Sequence, residues 1–178
     1  MPERPTTDPR LVILDAHDGI WAQLQARLVG LRDDEYRWAP VDGWSIERAA
    51  DGRVVVTGAG HTDPGPFTTI AWRLWHLGVD CLDSYSDRLF GTTGATVSGT
   101  EWHWSADAAI ADLDRAWSTW RAGLAARDAD QWWDVLGPQW GPFAEHNLYD
   151  LALHAHNELT HHAAEIALLR DLWRAGHR

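Results

Sequence analysis

No lysine occurs anywhere in the 178 residues; all 15 basic residues are arginine. That absence excludes Schiff-base chemistry, pyridoxal phosphate attachment and a Walker A phosphate loop, each of which needs a lysine amine. Cysteine is nearly missing too. The single Cys81 leaves no internal disulfide framework and fits a reducing cytoplasm. Positive charge is scarce beside negative, with a formal net charge of -11. Nucleic acid and anionic membrane surfaces are therefore poor partners, because phosphate demands a basic footprint. No apolar run approaches a membrane span, and Met1 to Thr7 lacks the apolar centre of a signal peptide. The expected location is the cytoplasm.

What remains is rich in tryptophan, with 13 residues, and in histidine, with ten. The length suits a single domain over 1–178 that buries a sizeable core. Four amphipathic stretches carry helical spacing. Asp8 and Pro9 make an N-cap and first-turn proline for a helix over 9–29, with Gly30 as its stop. A second helix over 68–90 is apolar on two sides and closes at Gly91. Ser105 caps a third, whose Ile110, Leu113, Trp117, Trp120 and Leu124 form a bundle seam. Asn147 caps the fourth, with Asp150 in its first turn, and this helix runs to about Arg174. The Gly- and Pro-punctuated stretches 31–67, 91–104 and 125–145 read as irregular, with Arg53–Thr57 as one short strand or extended crossover. Residues 1–7 read as a frayed tail. The expected fold is an all-α four-helix bundle.

The fourth helix carries an unusual face. At about 100° per residue, His154, Glu158, His161, His162 and Glu165 share one sector, and His156 falls opposite. Burying such groups costs several kcal/mol each unless they are paired or bind a metal, so this face reads as a metal site. Glu158 and His162 are one turn apart, a spacing that lets both bind one ion. A third ligand has to come from elsewhere, and His76 is the only histidine central to another long helix. Two imidazoles and a carboxylate leave a first-row metal an open position. On the second helix Thr69, Trp72, Asp80 and Asp83 share the sector of His76, whereas Cys81 falls away from it and is not counted as a partner. Competing motifs fail: no His-Glu-x-x-His occurs, and Glu158 is the one acidic residue three before a histidine, so a di-iron pair is not formed.

Thr68-Thr-Ile-Ala-Trp-Arg-Leu-Trp-His76-Leu, together with His154-x-x-x-Glu158-x-x-x-His162-Ala-Ala-Glu165-Ile, resembles the DinB/YfiT-like superfamily of metalloenzymes. The likeness covers nearly the whole chain and is most specific over about 147–174. Glu158, where many members carry histidine, resembles the mycothiol-dependent maleylpyruvate isomerase branch, whose zinc is held by two His and a Glu. The segment 162–165 departs from the His-Arg-Gly-Gln of many members. The resemblance implies His76, Glu158 and His162 as ligands of a divalent ion, Zn2+ first, with Ni2+ or Fe2+ as alternatives. It also implies a low-molecular-weight thiol such as mycothiol as co-substrate, and a homodimer.

Around that ion, His154, His161, Glu165 and Asp80 are candidates for orienting the ligands or relaying protons, against the ordinary alternative of paired or solvated groups. Trp72, Trp102, Trp104, Trp132, Trp133 and Trp140 are candidates for an apolar wall, against plain core packing. Arg73 and Arg170 are candidates for holding a substrate carboxylate, against a solvated role. His17 and His61 read as a surface or half-buried residue and a loop residue. Three functions fit: thiol transfer or isomerisation, hydrolysis by activated water on the same ion, and non-catalytic binding of a metal or small molecule.

Overall fold

The computed structural model describes residues 8–58, 65–92 and 99–177. His61 and the expected tail over 1–7 lie outside the described residues. The helix ends follow local chemistry closely. In α1 (Pro9–Leu28) the Asp8 side chain accepts from the Arg10 N–H. In α5 (Ala106–Ala125) Ser105 accepts from the Ala108 N–H. In α6 (Leu148–Arg174) Asn147 and Asp150 form a reciprocal capping box.

The second long helix is not uniform. It starts as α3 (Ile70–Trp75), widens into a π-helical segment (His76–Asp83) and resumes as α4 (Ser84–Phe90), ending at Gly91 with φ 65°. The core is one cluster in which Leu24 and Leu28 of α1, Leu113, Trp120 and Leu124 of α5, and Leu159 and Ile166 of α6 are buried. α1 packs mainly on α6, and α5 on the π segment. These elements form the expected bundle. Among the described residues no helix is long and apolar enough to cross a membrane.

Besides short 3-10 turns at Asp130–Trp133 and Pro138–Phe143, a further helix and a hairpin depart from a bare four-helix plan. A one-turn helix, α2 (Asp33–Tyr36), follows α1, and an antiparallel hairpin pairs β1 (Ile46–Arg48) with β2 (Val54–Val56) in the register Ile46 to Val56. Arg53–Thr57 is thus half of a hairpin rather than a lone crossover. Its edge is extended by Trp102, whose N–H donates to the Val54 carbonyl.

α2 also explains Arg170. That side chain is 1% exposed. Its guanidinium donates to both Glu35 oxygens, at 2.7 and 3.2 Å, and to the carbonyls of Arg27 and Val29. Arg170 is therefore neither solvated nor open to a substrate; it ties α6 to the end of α1. Truncating one partner of such a buried pair typically costs about 3–5 kcal/mol.

Candidate metal centre

α6 presents Glu158 and His162 one turn apart, and the π segment presents His76 opposite them. The Glu158 Oε2 atom lies 3.3 Å from His76 Nε2 and 3.4 Å from His162 Nε2. The two imidazole rings meet edge-on with centroids 4.9 Å apart. The far nitrogen of each ring is also engaged. His76 Nδ1 is 3.0 Å from Asp80 Oδ2, and His162 Nδ1 is 2.7 Å from Glu165 Oε2. A carboxylate at Nδ1 fixes the tautomer, so that Nε2 keeps its lone pair for the centre of the site.

The electrostatics favour a cation there. Burial opposes charge on His76, but hydrogen bonds to Asp80, Cys81 and Glu158 push the imidazole up to about 12. Hydrogen bonds from His162 and His76 hold the Glu158 carboxyl well below the usual carboxylate range. Burial lowers His162, against the pull of Glu158. A place that holds a proton this firmly among two imidazoles and three carboxylates is chemically suited to a divalent ion. The donor set fits.

Cys81 corrects the sequence reading. Its Sγ lies 3.5 Å from His76 Nε2. Among the described residues, ligand atoms of His76, Cys81 and Glu158 all fall within 4.8 Å of one another. An α-helical count at about 100° per residue sets Cys81 well away from His76. The π segment closes its turns on the fifth residue instead, which returns residue 81 to the side of residue 76. Asp80 remains in reach, as expected. Asp83 does not: it is paired with Arg115 of α5.

The site opens into a pocket of about 1140 Å³. Trp72 and Trp140 line it, and Trp72 lies flat against His76 with centroids 5.1 Å apart. The other four tryptophans are elsewhere. Trp102 and Trp132 are buried in the core, Trp104 lies under the guanidinium groups of Arg37 and Arg48, and Trp133 is exposed beside Tyr149. Sequence reasoning missed Tyr85, Arg88 and Trp44 on the pocket wall. The i to i+4 step from Cys81 to Tyr85 was available as a signal only once Cys81 had been placed. Burial and the neighbouring Cys81 sulfur raise the Tyr85 hydroxyl far above its ordinary range.

The remaining candidates separate by depth. Glu165 is at the centre of a small network, bonded to His162, ion-paired with the buried Arg73 and 3.2 Å from His161. His161 stacks on His162 but is mostly exposed. His154 is exposed at the pocket mouth, 3.9 Å from Glu158 and tilted against Tyr85. Arg73 lines the pocket, though its charge is already matched by Glu165. His17 is fully buried on the other side of α6, contrary to the surface or half-buried role expected for it.

A family model of the DinB superfamily matches residues 16–166. A curated protein similar to part of the chain is the glucosyl-3-phosphoglycerate phosphatase of Mycolicibacterium vanbaalenii, 42% identical over 69 residues. That stretch is 36% of this chain and 27% of the phosphatase. No solved structure matches the chain.

Proposed function

The chain belongs to the DinB superfamily, and on that premise we propose that it is a metal-dependent enzyme of the thiol S-transferase or isomerase type. His76, Glu158 and His162 hold a divalent ion, Zn2+ in the first instance. The observation that carries this reading is the convergence of two Nε2 atoms on one Glu158 oxygen, each ring braced from behind by a carboxylate. When bound, such an ion favours the thiolate form of an incoming thiol at neutral pH, which is the reactive nucleophile. Asp80 and Glu165 orient the imidazoles. Trp72 and Trp140 give an organic substrate an apolar wall, and His154 and His161 at the mouth are placed to exchange protons with solvent. Glu158 in place of a third histidine makes the ligand pattern similar to the mycothiol-dependent maleylpyruvate isomerases, and mycothiol is the co-substrate proposed.

Hydrolysis on the same ion is the competing chemistry, and the likeness to a phosphatase spans too little of that protein to favour it. Pairing of two bundles rests on the family likeness alone; sedimentation tests it. The main test is metal analysis of the purified protein beside His76→Ala and Glu158→Ala. Stoichiometric metal is expected in the wild type. Each variant should lose at least the roughly tenfold in affinity that marks the low end of changes beyond the ligands themselves. A thiol-dependent turnover assay then separates transfer from hydrolysis. A wild-type protein that binds no stoichiometric metal sinks the proposal.

A further inference from the structure

We propose that Cys81 is a fourth donor to the ion, delivered to it by the π-helical segment. The inference rests on the ligand reading above and adds one residue to it, so that an incoming thiol would have to join as a fifth donor or take the place of Cys81. Three observations carry it. The Sγ atom is 3.5 Å from His76 Nε2, the nitrogen already aimed at Glu158, and the ligand atoms of His76, Cys81 and Glu158 lie within 4.8 Å of one another. The residue is 3% exposed and is not in a disulfide, so its sulfur is held inside the site wall rather than offered to solvent. The backbone provides the third. Over His76–Asp83 the helix gives up its α-helical closure, and π turns are rare, collecting at functional sites.

Were the helix α throughout, residue 81 would stand about 140° of arc from residue 76. The widened turn removes most of that separation. Its geometric effect is to bring a sulfur beside an imidazole that a uniform helix would keep apart. Gly78, inside the same segment, lets the Trp102 ring pack within 3.3 Å of where a Cβ would stand, with Leu113 of α5 next at 3.7 Å. His76, Cys81 and Glu158 form one cluster, which His162 adjoins through Glu158 at 3.4 Å; together their two nitrogens, one oxygen and one sulfur would select Zn2+, Co2+ or Cd2+ over Mg2+ and Ca2+, whose preference is for oxygen alone.

Cobalt(II) titration of the metal-free full-length protein reads this directly. The wild type should take up one equivalent and develop the near-ultraviolet sulfur-to-cobalt charge-transfer absorption. Cys81→Ser and Cys81→Ala should still fold, by circular dichroism, and lose that absorption, with affinity reduced about tenfold or more. One equivalent of cobalt bound without the charge-transfer absorption, or an absorption that survives in Cys81→Ala, overturns the role of Cys81 and leaves the three-ligand reading intact. No stoichiometric cobalt in the wild type overturns both.

Discussion

Two pairs of histidines flank α6, and their surroundings are opposite. On the pocket side, His76 and His162 each have a carboxylate at Nδ1 and share Glu158 at Nε2. On the other side, His17 and His156 sit with ring centroids 5.3 Å apart. His17 stacks on Trp117, its Nδ1 donates to the Ile13 carbonyl at 2.9 Å, and among the described residues its Nε2 has no hydrogen-bond partner. Burial dominates its behaviour, lowering it to about 4 against the pull of the Ile13 carbonyl. The comparison teaches what makes a cation seat. Burial favours the neutral ring, at His17 and at His162 alike; at His76 the hydrogen bonds to Asp80, Cys81 and Glu158 reverse that preference. The same residue type therefore serves packing on one flank of a helix and chemistry on the other.

The largest expected effect breaks the comparison from the packing side. His17 binds its proton less readily folded than unfolded, so acid favours the unfolded chain. Its contribution is fully present above the ordinary histidine value of 6.5 and is lost as pH falls toward 4. A shift of that size corresponds to about 3 kcal/mol at full protonation. Urea unfolding of the metal-free protein at pH 7, 5.5 and 4 measures it. His17→Phe keeps a flat ring against Trp117 and should remove most of the difference between wild-type midpoints across that range. An unchanged profile would mean that His17 is not held neutral by burial.

A middle-sized effect sharpens the comparison from the pocket side. Asp80→Asn and Glu165→Gln leave the ligands in place but weaken the brace behind each imidazole. Metal affinity should fall by about 10–100-fold in each, as for other changes one step removed from a metal. Isothermal titration with Zn2+ reads both. Glu165→Gln should show the larger loss, because Glu165 also holds the buried Arg73, which would be left without its counter-charge.

Much of this is legible in the sequence itself. Caps at Asp8, Ser105 and Asn147 are local chemistry, decided by a side chain and the N–H two or three residues on. Asp80 and Glu165 stand beside His76 and His162 because i to i+4 and i to i+3 steps hold on a helix and survive a modest widening. Cys81 was lost because the angular count assumes one pitch throughout, and nothing in His76–Asp83 announces a wider one. The hairpin was half legible, since strands of three residues carry too little alternation to be paired by eye. Arg170 was opaque for another reason. Its partner Glu35 is 135 residues away, and a long-range ion pair leaves no local trace.

The smallest expected effect concerns His154, which shares a helical face with Glu158 but not its environment. Its side chain is 52% exposed, and its Nε2 is 3.9 Å from Glu158 Oε1, not the oxygen that faces His76 and His162. Water screens that contact, and exposed pairs of this kind are worth about 0.2–1 kcal/mol. His154→Ala should therefore weaken metal binding by less than about fivefold, while any proton-relay role would appear as a changed pH profile of turnover. An affinity loss as large as that of Asp80→Asn would place His154 among the groups that hold the ion. The divide between the two flanks of α6 would then have to be redrawn, with solvent exposure no longer separating the residues that bind from those that only line the entrance.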